Sequence, residues 1–152
     1  MTTAASTSNS ADTLAPWGAT LLRVSLGVMF VAHSVILKVF VFTVAGFTGF
    51  FESLGFPGFL ALPFIVAEAA IGVALILGIQ TRWAALASLP ILLGAVWVHA
   101  GNGWVFSAEG GGWEYPLFLA VAAVVQALIG DGALALSPSR RLPFTGARGQ
   151  AA

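Results

Sequence analysis

Residues 63–82 read PFIVAEAAIGVALILGIQTR, an apolar run interrupted by a single carboxylate, Glu68. About 20 apolar residues in a helix cross the hydrocarbon core of a bilayer, so this run predicts a membrane helix with Glu68 in its outer half. An ionisable side chain at that depth costs roughly 3 kcal/mol on insertion scales. A chain keeps such a group where it has a partner or a task. The groups available to meet it are His33, Lys38, His99 and Glu114.

Working outward, the same character extends along most of the chain. Of its 152 residues 59% are hydrophobic and 8% charged, too little charge to cover a soluble globule, and mean hydropathy is +0.97. The length implies one domain. Net charge is zero and no basic cluster precedes residue 140, which argues against a nucleic-acid partner. There is no cysteine, so disulfides, iron–sulfur ligation and thiol redox chemistry are excluded.

Upstream of the central run, residues 17–42 predict a first membrane helix opened by Pro16 at its first position, with Trp17 at the interface. At 3.6 residues per turn Arg23, Gly27, Ser34 and Lys38 share a face, with His33 to one side. Small residues on that face let another helix approach closely. Arg23 and Lys38, near opposite ends, are placed to snorkel. Residues 43–58 break the periodicity with glycines and a proline, and predict a loop carrying a short interfacial helix around residues 50–54. The second helix covers residues 59–79. Thr81 is the expected N-cap of a third helix over residues 82–100, with a kink at Pro90. A glycine-rich loop over residues 101–113 has neither a preceding strand nor a Lys-Ser/Thr ending, so it is not read as a phosphate loop. A fourth helix runs from Glu114 to about Leu136, with Gln126 near its middle and Asp131 near its end.

The expected fold is therefore an all-α membrane protein: a four-transmembrane-helix bundle with a short interfacial helix in the first outer loop. A disordered tail covers residues 1–15, the transmembrane domain residues 16–137 and a flexible basic tail residues 138–152. Four spans put both termini on one side, with Arg82, Arg140, Arg141 and Arg148. The positive-inside rule places that side in the cytoplasm of a bacterial inner membrane.

In this topology His33, Lys38, Glu68, His99 and Glu114 are the ligand-binding or proton-handling candidates, gathered in the outer half or at its mouth. Burial moves a carboxylic acid and an imidazole toward neutral pKa values, so such a pair can exchange a proton. The bland alternative is that Glu68 pairs with a helix-one group and fixes the packing. Arg23, Arg82, Asp131 and Gln126 are the structural polar candidates, with an Arg23–Asp131 salt bridge near the inner face. Ligation of haem by His33 and His99, or of zinc by these histidines and Glu68, has no supporting motif; no metal and no motif-bound cofactor is expected.

Six pieces, LLRVSLGVMFVAHSVILK, FFESLGFPG, AEAAIGVALILGIQTRWAAL, WVHAGNGW, GGWEYPLF and GDGALAL, together resemble the DoxX family of small bacterial four-helix membrane proteins over about residues 20–136. The resemblance implies that Arg23, Lys38, Glu68, Arg82 and His99 stand at the family's characteristic polar positions. This chain departs in having His33-Ser34 where the family often reads His-Gly. Lys38 also follows His33 by five residues instead of four. The family is linked with thiosulfate:quinone oxidoreductase and other redox complexes. The resemblance thus implies a membrane subunit of a redox system, with quinone as ligand and a redox partner protein. A non-catalytic scaffold or a small-molecule permease, acting alone or as a homo-oligomer, is the other reading.

Overall fold

The computed structural model describes residues 10–140, and all of the regular structure there is helical apart from one isolated bridge between Ile79 and Ser137. Helix α1 spans Ser10–Val31 and runs on directly as a π-helical segment, Ala32–Val41. It is followed by α2 (Thr43–Ser53), α3 (Ala61–Leu77), α4 (Thr81–His99) and α5 (Glu114–Ile129). Single 3₁₀ turns precede α3 and follow α4. Three stretches, Leu14–Val41, Gly58–Leu77 and Thr81–Asn102, are long and apolar enough to cross a membrane, and α5 is a shorter apolar helix.

The pairing is antiparallel neighbour on neighbour. Helix α4 packs most extensively on α5, and α1 on α3. The shared core is built from Leu26, Phe30, Leu75, Leu92 and a set of alanines on α4 and α5. Alanine on facing helices brings backbones close without a large side chain to interlock, as membrane helices do. The α1–α3 crossing is tighter still. A Cβ on Gly27 would meet the Gly72 carbonyl oxygen at 2.7 Å, and one on Gly72 would meet the Gly27 oxygen at 2.9 Å. Outward from these contacts stand exposed side chains such as Leu21, Phe40, Phe59, Val66, Trp97 and Phe118, the surface expected against lipid chains.

Several boundaries differ from the sequence expectation. Helix α1 starts at Ser10, so Pro16 lies inside it and residues 10–15 are helical. A proline removes one ladder bond but does not stop the turn before it. Residues 1–9 lie outside the described residues. Helix α2 begins at Thr43, ahead of the short helix expected at residues 50–54, and Phe42 N–H donates to the Leu37 carbonyl across the junction. Pro90 lies within an uninterrupted α4. The largest difference is at the other end: α5 stops at Ile129 instead of running to about Leu136. Gly130, Leu134 and Gly132 all have positive φ (94°, 58° and 71°), and three such residues in five reverse the chain. Residues 130–140 therefore form a strap across the ends of the bundle. Ala133 N–H donates to the Pro16 carbonyl, Leu136 N–H to that of Leu77 and Ser137 N–H to that of Gly78, while Gln80 N–H donates to the Ser137 carbonyl.

Candidate functional site

Charged and polar side chains collect in two places, one at each end of the α1–α3 pair. At the end away from the strap, Lys38 and Glu68 form the only ion pair among the described residues. Glu68 lies on the buried face of α3, one turn before the Gly72 crossing, and is 4% exposed. The glycine contact holds α1 close enough to α3 for the lysine to reach it. Lys38 was expected to snorkel outward; instead it folds inward, with its side chain only 16% exposed. Its ammonium lies 4.9 Å from the Phe47 ring centroid and 5.0 Å from that of Phe64, within the range of cation–π attraction. Helix α2 supplies the cover: Phe47 and Phe51 pack on Phe64 at 6.0 and 5.2 Å, and Phe51 on Phe56 at 5.4 Å. Phe56 in turn meets Trp97 edge-on at 6.4 Å. The pair is thus largely buried and roofed by aromatic rings, a low-dielectric setting in which loss of one charge leaves the other poorly compensated.

The remaining candidates do not join it. His33 bonds through Nδ1 to the carbonyl of Met29 in its own helix, at 2.8 Å. His99 Nδ1 bonds to the carbonyls of Gly110 (3.0 Å) and Gly111 (3.1 Å), which the Asn102 amide also clamps. Glu114 accepts from Phe106 N–H at 2.8 Å and pins the loop 101–113 against α5. Both histidines are therefore engaged with backbone. An open apolar groove of about 480 Å³ lies between that loop and α5, lined by Trp104, Phe106, Glu114, Tyr115, Phe118 and Val121. It does not include Lys38 or Glu68.

The second cluster sits at the strap. The expected Arg23–Asp131 salt bridge is absent, because each group is engaged elsewhere. Arg23 is 1% exposed and does not snorkel; its guanidinium donates to the carbonyls of Ile76 (3.4 Å) and Ala133 (3.1 Å). Arg82 donates to the carbonyls of Ala127 (2.6 Å) and Leu128 (2.8 Å). The two arginines thus close the C-terminal ends of α3 and α5, where the unpaired carbonyls carry partial negative charge. Asp131 does the converse at the start of α4. It accepts from Thr81 N–H (3.2 Å), Ser139 N–H (3.0 Å) and Ser139 Oγ (2.8 Å). Thr81 is therefore the first helical residue with a borrowed cap, and the cap position itself is Gln80. Gln126 is fully buried and donates to the Gly130 carbonyl at 2.6 Å. Ser139, expected within the flexible tail of residues 138–152, is part of this lock; Arg141 and Arg148 lie outside the described residues.

Sequence reasoning missed Ser139. No sequence signal says that Phe47 of α2 and Phe64 of α3 lie over a lysine.

An all-helical chain with several membrane-length apolar helices and a buried lysine–glutamate pair is a multi-pass membrane protein. The comparison with known families agrees: the DoxX family model matches residues 18–101, more than half of the chain, and the protein belongs to the DoxX family. The match takes in α2 to α4 and every residue from Gly18 through the π-helical segment, including Lys38 and Glu68; α5 lies beyond it. No curated protein and no solved structure matches the chain.

Proposed function

We propose that this protein is a four-span subunit of the bacterial inner membrane that binds a quinone headgroup at Lys38–Glu68 for a redox partner. Helix α5 is the fourth span: at 1.5 Å per residue its 16 residues give about 24 Å, and it packs along α4. Helix α2 lies at the outer interface, and the strap, with both termini, faces the cytoplasm. Arg23, Arg82 and Arg140 at the strap end support that orientation.

The observation that carries the reading is the roofed ion pair. A quinone needs an apolar slot for its ring and tail and one or two polar groups at its carbonyls. Here an ammonium that can donate and a carboxylate that can take up or release a proton sit under Phe47 and Phe64. Nothing in the sequence motifs offers an electron carrier, so electrons pass to or from a partner protein. Titration of the purified protein with a short-tailed quinone, read by tryptophan fluorescence, tests this: saturable quenching that weakens in Glu68→Gln supports it. Absence of saturable quenching and of any co-purifying redox protein overturns it.

A scaffold or permease reading has one observation in its favour. The two charges are fully engaged with each other, and the open groove lies elsewhere, by α5. On that reading the pair fastens α1 to α3, and quinone leaves the fluorescence unchanged.

A further inference from the structure

The apolar interior of the molecule falls into two separate clusters. The larger joins α1, α3, α4 and α5; the smaller holds Phe47 of α2 against Ala61, Phe64 and Ile65 of α3 and Val39 of the π-helical segment. Phe47 is the one buried residue of α2, and its ring lies over the Lys38 ammonium. Among the described residues no hydrogen bond or ion pair joins residues 43–55 to another helix. Thr43 Oγ1 accepts from Gly46 N–H, and the Thr48 and Ser53 hydroxyls donate to carbonyls of α2 itself. The strap at the other end, by contrast, is tied to α1, α3 and α4 by such bonds. A segment fastened by a few apolar contacts opens at a lower free energy than the rest of a fold.

Both ends of α2 have the backbone of a joint, with φ 63° at Thr43 and φ 85° at Gly55. Glycine takes that conformation freely. For a β-branched threonine it is strained, and a swing about Thr43 releases the strain. The rim of the roof is apolar. From residue 39 to residue 67 the only charged side chain is Glu52, and Phe40, Phe42, Phe59 and Leu60 stand exposed there. We infer that α2 is a gate: it swings about Thr43 and Gly55, lifts Phe47 off Lys38 and opens the ion pair sideways to the lipid phase, so that an apolar ligand enters from the membrane and not from water. The ligand's route rests on the reading of Lys38–Glu68 as a quinone site; the gate itself is read at the lysine and does not.

Lys38 is the only lysine in the chain, so its chemical modification reports the gate without any quinone. A Cβ on Gly58 would meet Thr48 Cγ2 at 2.9 Å, which brings the two Cβ positions within disulfide range; the side chain of Glu52, exposed on α2, turns aside to make room. Thr48→Cys with Gly58→Cys therefore staples α2 across the Gly55 joint, and the reduced form of the same protein is its control. In lipid nanodiscs Lys38 should react with phenyl isothiocyanate several-fold more slowly with the disulfide closed than after reduction, measured by mass spectrometry against the terminal amine. Adding Phe47→Ala should restore much of that rate with the disulfide still closed. The sulfonated, water-confined form of the reagent should modify Lys38 several-fold less, relative to the terminal amine, than the apolar form does. Equal rates before and after reduction overturn the gate, and equal modification by the two reagents overturns entry from lipid. Quinone quenching should also set in several-fold more slowly with the disulfide closed. A gated lysine with no quinone response at all supports the gate and overturns the quinone reading alone.

Discussion

The two ends of the α1–α3 pair bury charge in opposite ways. At one end a cation and an anion face each other under phenylalanine rings, with no backbone group among their partners. At the other, two arginines and an aspartate ignore one another, and each closes a helix end. Both solutions satisfy the same demand, that charge in a low-dielectric interior be compensated. Only the first leaves the backbone out of the contact. Burial of ionisable residues in this membrane protein therefore takes two forms, one in which they end on another side chain and one in which they end on the backbone.

The comparison is sharpened most by Glu68→Ala. Leaving the Lys38 ammonium unpaired should cost about 3–5 kcal/mol, seen as a large fall in melting temperature in detergent. Replacing both members with apolar residues, Lys38→Met with Glu68→Leu, should recover nearly all of it, since a buried pair exchanged for packing is commonly neutral. Quinone quenching should be lost in that double variant. If stability is not recovered, the ion pair is itself a fastening of the fold, and the two ends are alike.

Arg23→Met comes next. It abandons the carbonyls of Ile76 and Ala133, and two hydrogen bonds to a charged group put the loss at about 2–3 kcal/mol. The quinone response of the distant pair should be untouched, and a change in it would break the proposed division between the ends. Asp131→Asn keeps the shape of the cap but loses charge at the start of α4, and should cost about 1 kcal/mol. Hydrogen exchange at Thr81 and Ser139 should rise in that variant. Smallest, and of opposite sign, is Leu134→Gly. The leucine is 76% exposed at φ 58°, so relieving the left-handed backbone should raise stability by up to about 1 kcal/mol. A fall would show that the exposed leucine packs against something in the membrane.

Orientation is open to direct test because the chain has no cysteine. Arg140→Cys and Trp104→Cys lie on exposed positions at opposite ends. An impermeant thiol reagent on whole cells should label the second and spare the first; the reverse pattern inverts the proposed topology.

Hydropathy and composition by themselves determined that this is a helical membrane protein. They also located α3 and α4 to within a few residues, because a 20-residue apolar run has few alternatives in lipid. The importance of Glu68 was legible for the same reason: one carboxylate in such a run must be compensated, and Lys38 was among the few groups able to do it. Gly27 was legible as a close-approach position, although its counterpart at Gly72 was not. Tertiary structure alone decided the rest. His33 was a candidate at that depth too, but its Nδ1 is taken by the Met29 carbonyl of its own helix, and Lys38 is the group that meets Glu68. The early end of α5 comes at Gly130, whose φ of 94° breaks the helix, and the turn is carried on by a positive φ at Leu134 that leucine does not advertise. The separation of Arg23 from Asp131 depends on which helix ends converge at the strap. Each of these is a contest among partners at similar depth, and depth is all that a hydropathy pattern encodes.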